Sequence, residues 1–234
     1  MKVVRVCEHS FLPGAIASSD VVFDCGANRG DFSSWCSDNL DCQVYSFEPD
    51  PRLFSQLPSL RNVEFVECAI SSNEAGLSLA LGSERCSSGI YRESPTQPTV
   101  SVPSVSLPQF CSKRNLTSAT IGLLKIDIEG AELDVLDHLP QNFLARTRQI
   151  TVEFHDFLDI SQIPRIRAVV GRLQACGFYA IRFSRHTWGD CLFLNRRMVA
   201  VSLPSVAKLI LYDKYFAGVK RVLRRRFGGL VTTA

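Results

Sequence analysis

Three apolar runs in this chain each end on an acid and then turn, a repeated pattern that limits the fold more than any other feature. They are VVFDCGANRG (21–30), VYSFEPDP (44–51) and LLKIDIEGAELDVLDHL (123–139). Each reads as a strand delivering a carboxylate to its C-terminal edge; in the third, Glu129, Gly130 and Glu132 follow Asp127 before a helical pattern begins. Open α/β sheets bind ligands at such edges, so three of them describe a cofactor site.

Strand-like and helix-like runs alternate from residue 21 onward, which predicts βαβ units and a mostly parallel sheet. Strands are expected near 21–24, 43–47, 63–67, 121–126, 149–154, 178–183 and 190–194, and helices over 31–40, 51–58, 130–139 and 162–176. Asp50 with Pro51 reads as a helix start, and Gly177 as the stop of 162–176. The Ser-, Pro- and Thr-rich stretch 82–120 is too long for a structureless loop. It is expected to hold extra strands near 77–81 and 99–107 and to shape part of a substrate pocket. GFYAIRF and CLFLN are separated only by SRHTWGD, too short for a parallel crossover, so they should form an antiparallel hairpin.

With 234 residues and 46% hydrophobic content the chain can bury one substantial core, read as a domain over 1–195 and an appendage over 196–234. Glu8, His9 and Pro13-Gly14 break the N-terminal apolar stretch, so no signal peptide is expected, and no apolar run is long enough to span a membrane. Nine cysteines without a CxxC pair read as reduced, mostly buried thiols of a cytoplasmic protein. Neither their spacing nor nearby histidines support a metal site. The net charge of +3 is unevenly divided, −5 over 1–195 and +8 over 196–234. In that tail, Val206, Leu209, Ile210, Phe216, Val219 and Leu223 recur at helical spacing among seven Lys and Arg side chains between 208 and 226. A helix over 205–226 would suit an anionic membrane surface as a peripheral contact, an acidic partner, or packing back on the domain. Nucleic acid is not expected as a partner, because the acidic body repels phosphates.

The first edge has the pattern Asp24-x-Gly26-x-Asn28-x-Gly30. A dinucleotide fingerprint would want glycines at 26, 28 and 31, where the chain has Gly, Asn and Asp, and Asp31 opposes a pyrophosphate at the helix start. That disfavours a nicotinamide oxidoreductase and suits a cationic or zwitterionic ligand. Glu48, 24 residues after Asp24, can accept both hydroxyls of a ribose, or simply favour the helix start at Pro51. At the third edge Asp127 is the leading functional candidate. Asp127 and Glu129 alternate, so only one should enter the cleft, and Glu132 lies near the helix start.

DCGANRG, SFEPDP, KIDIEGAELDVL and VEFHDF together resemble the FkbM-type methyltransferase family over roughly residues 20–195. The resemblance implies a Rossmann-like, seven-stranded class I methyltransferase sheet, mostly parallel with a C-terminal antiparallel hairpin and helices on both faces. It also implies the cofactor S-adenosyl-L-methionine and O-methylation of a hydroxyl on a sugar, glycan or secondary metabolite. Carried onto this chain, Asp24, Gly26, Ala27, Asn28 and Gly30 would line the methionine end, Glu48 with Pro49 the ribose, and Cys68 with Ala69 the adenine. Asp127 would stand between the cofactor and the incoming nucleophile. The chain departs from the family pattern at Pro108, where an acid is common, and at Cys68, where Asn is common.

A hydroxyl acceptor must lose its proton as it attacks. Glu153 and His155 alternate at the end of the fifth strand and would face the cleft with Asp127. His155 is the better base on intrinsic pKa, with Asp127 or Glu153 to orient it, although a single His at a strand end can equally be a structural residue. A divalent metal on Asp127, Glu153 and His155 is chemically possible, but spacing does not demand one and no metal ligand is assigned. The rival readings are a non-catalytic Rossmann-like binding module and a methyltransferase acting on protein or RNA. Trp188, in the hairpin loop 184–190, reads either as a platform over the substrate or as packing beneath the loop.

Overall fold

A computed structural model describes residues 2–72, 76–80, 99–184, 186–201 and 204. The chain opens with strands β1 (Val4–Val6) and β2 (His9–Phe11), which pair antiparallel through a turn in which Cys7 and Glu8 both have positive φ. There follow β3 (Val21–Cys25), α1 (Asp31–Asn39), β4 (Gln43–Phe47), α2 (Pro51–Phe54), β5 (Val63–Val66), β6 (Ala69–Ile70), β7 (Leu77–Ala80), β8 (Thr99–Val102) and β9 (Ser104–Val105). The second half comprises α3 (Leu107–Lys113), β10 (Ile121–Ile126), α4 (Glu132–His138), α5 (Gln141–Ala145), β11 (Gln149–Val152), α6 (Ile163–Ala175), β12 (Phe178–Arg182) and β13 (Cys191–Asn195).

Seven strands form the central sheet in the order β12-β13-β11-β10-β3-β4-β5. β5, β4, β3, β10 and β11 run parallel, while β13 lies antiparallel between β11 and β12. The expected alternation of strands and helices is therefore present, with a mostly parallel sheet of seven strands. Both middle strands, β3 and β10, are buried at every position, as continuous apolar runs covered on two faces must be. One face packs Phe23, Phe47 and Ile126 against Phe110 of α3, Leu136 of α4 and Leu173 of α6. The other packs Val22, Val44 and Leu123 against Phe32 and Cys36 of α1 and against Phe11 and Leu12. The N-terminal hairpin thus does the covering work of a helix on that face.

The differences from the expected elements have local causes. α2 is one turn instead of 51–58; residues 55–56 form a turn, and Pro58 keeps Leu57 from continuing a helix. α4 begins at Glu132 rather than 130, since Glu129 and Gly130 both take positive φ. The run 99–107 divides at Pro103 into β8 and β9, whose partners are β7 and β6. α3 has a sequence signature that went unread in SVSLPQF. Ser106 and Gln109 form a capping box, and Pro108 sits in the first turn where its missing N–H costs nothing.

The eight described cysteines are all free, six of them buried, and Cys86 lies outside the described residues. No helix among the described residues is long and apolar enough to cross a membrane. The basic run 205–226 and all of 81–98 also lie outside them.

Candidate active site

The carboxyl ends of β3, β4, β5 and β10 border a partly open cleft. Gly26, Asn28, Glu48, Pro49, Cys68, Ala69 and Asp127 line it, so seven of the ten residues proposed from sequence for a cofactor meet at one cavity. Phe47, Leu53, Ile70, Leu79 and Ile128 add an apolar wall, and Glu129 closes the β10 side.

Asp24, Ala27 and Gly30 are not in that lining. The Asp24 carboxylate lies wholly buried beneath the cleft, where it accepts hydrogen bonds from Ser33 Oγ (2.7 Å) and Ser46 Oγ (3.1 Å) and faces Lys125 Nζ at 3.1 Å. Ala27 is buried and donates its N–H to the Phe47 carbonyl. Gly30 caps the start of α1 with φ +81°, packed against Leu57 and Pro58. Gly26 has an internal reason to be glycine. At φ +88° a Cβ there would fall 1.8 Å from the Asp127 carbonyl oxygen, so only a residue without a side chain lets β3 and β10 end side by side.

Glu48 is 5% exposed and is held from two sides, with Oε2 accepting the Asn28 N–H at 2.7 Å and Oε1 the Asp50 N–H at 2.9 Å. Burial pushes its carboxyl up to about 7, and these two hydrogen bonds only partly offset that. A second lone pair on each oxygen remains for hydroxyl donors.

On the far side of Asp127 the charges crowd. Asp127 Oδ2 lies 3.5 Å from His9 Nε2 and 3.6 Å from Lys125 Nζ, and its Oδ1 lies 3.8 Å from His155 Nε2. Burial opposes the Asp127 charge, but Lys125, His9 and His155 outweigh it and hold the carboxyl well below its ordinary range. Lys125 itself is buried and donates to the Gly26 carbonyl at 2.6 Å; burial acts against its charge, and Asp24 and Asp127 more than restore it.

His155 is almost entirely surrounded by acids. Its Nε2 is 3.4 Å from Glu129 Oε2, and its Nδ1 is 3.1 Å from Glu132 Oε1, within ion-pair range but without hydrogen-bond alignment. Burial works against the imidazolium, yet Glu132, Glu129 and Asp127 push it up to about 9. At neutral pH the ring therefore holds its proton in the protein by itself. Glu153 moves the other way from an ordinary carboxylate, raised to about 7 by burial and then by Asp127. Among the described residues no hydrogen bond reaches the Glu153 carboxylate.

Asp127 and Glu129 both approach His155, although strict alternation would separate them. β10 ends at Ile126, and the left-handed φ of +54° at Glu129 swings its side chain back. The residue orienting His155 from the Nδ1 side is Glu132, in place of Asp127 or Glu153. Glu132 also accepts the Ile128 and Gly130 N–H groups at 3.1 and 3.0 Å, which fixes the turn. His9 went unnoticed in the sequence. It is fully buried, reaches the site from the N-terminal hairpin, and is 118 residues from Asp127. Trp188 packs on the core beneath the Arg182 guanidinium, 5.0 Å from its ring, and donates its backbone N–H to Asp156.

The Methyltransferase FkbM domain profile matches residues 24–179, which contain all the candidate cofactor-binding and catalytic residues but not His9, Arg182 or Trp188. The chain belongs to the FkbM methyltransferase family. Membership of that family supports S-adenosylmethionine as the cofactor. No curated protein matches the sequence. Among solved structures, the methyltransferase FkbM from Methylobacillus flagellatus aligns over 76% of this chain and 44% of its own, at 14% identity and a TM-score of 0.43. This chain thus spans less than half the length of that FkbM protein. An rRNA methylase from Streptococcus thermophilus aligns over 77% of this chain and 88% of its own (11% identity, TM-score 0.44). A fibrillarin pre-rRNA processing protein from Methanococcus jannaschii aligns over 78% and 67% (14% identity, TM-score 0.46).

Proposed function

We propose that this FkbM-family protein transfers a methyl group from S-adenosylmethionine to a hydroxyl oxygen of a sugar, glycan or secondary metabolite. The observation that carries the proposal is the adjacency of two chemically different compartments that share Asp127. One is the cleft with Glu48 and an apolar wall; the other is the Asp127, Glu153 and His155 cluster beside it.

The cleft residues fit the cofactor. Glu48, held by two backbone N–H groups, accepts a pair of vicinal hydroxyls, and Pro49 flanks it. Phe47, Cys68, Ala69, Ile70 and Leu79 offer apolar contact to a flat ring. The exposed backbone at Gly26 and Asn28 and the carboxylate of Asp127 face the zwitterionic end. Asp24, Ala27 and Gly30 support this floor from below, Asp24 through its bonds to Ser33, Ser46 and Lys125.

When bound, S-adenosylmethionine supplies an electrophilic methyl group. The work left to the chain is to hold the acceptor oxygen in line, exclude water and remove one proton. Asp127, Glu153 and His155 converge beside the cleft; Asp127 and the protonated His155 ring orient the hydroxyl, and Glu153, its carboxyl raised to about 7, takes up the proton. The excess of acids there suits a neutral polyol better than a polyanion, which supports a sugar-like hydroxyl over a nucleic acid.

Calorimetric titration with S-adenosylmethionine and with NAD, on the wild type and on Glu48→Ala, tests the cofactor assignment; mass spectrometry of hydroxylated acceptors then tests the transfer. Binding of the first ligand alone, weakened in the variant, and a methylated glycan or metabolite product are expected. Binding of NAD, or of neither ligand, would overturn the reading.

A further inference from the structure

We propose that His9, Asp127 and Glu153 form a site for a divalent transition-metal ion at the acceptor end of the cleft. Its role in catalysis rests on the methyltransferase reading, but the site itself does not.

The three side chains come from β2 and from the ends of β10 and β11, and their donor atoms all lie within 4.8 Å of one another. His9 Nε2 and Asp127 Oδ2 are 3.5 Å apart. Ligands bonded at about 2.1 Å to one ion stand roughly 3.0 to 3.4 Å apart, so shifts of a few tenths of an ångström to about 1 Å would close the set. The His9 ring is already aimed. Its Nδ1 lies 3.4 Å from Thr151 Oγ1, and its edge packs on Phe32, the kind of outer support that fixes a ligating imidazole.

Two observations point to an occupant. The first is Glu153, a partly buried carboxylate beside Asp127 that no hydrogen bond reaches among the described residues. The second is that Lys125 Nζ, 3.6 Å from Asp127, is already shared with Asp24 at 3.1 Å and the Gly26 carbonyl at 2.6 Å. That leaves negative charge that a dication would offset. The neighbouring group Asp127, Glu132 and His155 has similar spacing, but Glu132 is committed to the backbone N–H groups of Ile128 and Gly130. An imidazole with two carboxylates favours Mn²⁺ through Zn²⁺ over Mg²⁺ or Ca²⁺. An acceptor hydroxyl bound to such an ion would be more acidic, which is what O-methylation at neutral pH requires.

Titration of the full chain with Co²⁺, read by visible absorption and by metal content after dialysis, tests the site. One ion per chain with d–d bands of nitrogen and oxygen ligation is expected. His9→Ala and the isosteric Glu153→Gln should each weaken it by about tenfold or more, while S-adenosylmethionine affinity reports that both variants are folded. No saturable binding, binding indifferent to both variants, or a thiolate-to-cobalt charge-transfer band from a cysteine such as Cys7 would overturn the proposal. A protein that binds S-adenosylmethionine but not Co²⁺ would lose the metal site and keep the methyltransferase reading.

Discussion

Lys125 Nζ stands 3.1 Å from Asp24 Oδ1 with both side chains buried, and the pair ties β10 to β3 beneath the cleft floor. Removing one partner leaves an uncompensated buried charge, at a cost of about 3–5 kcal/mol. Lys125→Met and Asp24→Asn should each lower stability by that order. The double variant should cost less than the two singles together, as a urea-denaturation double-mutant cycle would measure. Additive losses would mean that the two groups are not coupled.

Gly26→Ala should be among the most damaging small substitutions in the chain. The added methyl meets the Asp127 carbonyl oxygen at 1.8 Å and must adopt φ +88°. Left-handed backbone and steric overlap together cost about 3 kcal/mol. Because the strain acts at the cleft, cofactor affinity should fall along with the melting temperature. An unchanged melting temperature would show that the strand ends separate freely.

Glu48 gives the protein a pH signature. Its folded value of about 7 lies above the ordinary carboxylate value of 4.5, so the folded state holds this proton more tightly than the unfolded chain. The resulting stability is fully present below the unfolded value and is lost as pH rises from there through about 7. The shift corresponds to about 3 kcal/mol at most. Glu48→Gln should flatten that part of the stability profile in chemical denaturation. Hydroxyl donors favour the ionised form, so cofactor affinity should weaken as pH falls below about 7, with proton release visible by calorimetry in buffers of different ionisation enthalpy.

Glu153→Gln and His155→Asn should separate turnover from binding. Proton-transfer groups contribute roughly 10²–10⁴-fold to rate, so kcat should drop by that order while S-adenosylmethionine affinity stays near wild type. A loss of cofactor affinity with kcat retained would move these residues from the reacting end to the cofactor end.

Much of the fold was legible in the sequence. Ile121–Ile126 and Val21–Cys25 read as strands because a strand buried on both faces has to be apolar throughout. Asp50-Pro51 and Gly177 marked helix limits because caps and stops are local chemistry. The capping box at Ser106 is equally local, and it starts a helix in a stretch for which only strands near 77–81 and 99–107 are expected. In the site, seven of ten proposed cofactor residues reached the cleft because strand ends in a parallel sheet converge on one edge.

The sequence by itself determined the alternating elements, the acids at the strand ends and the family motifs, since each depends on neighbours a few residues apart. Only the tertiary structure decided which way the side chains serve. It turned Asp24 inward to Lys125, brought Glu129 and Glu132 around His155, and carried His9 across 118 residues to Asp127. Those contacts depend on how the sheet twists and which hairpin covers its face, and no local periodicity records a distance between residues so far apart along the chain.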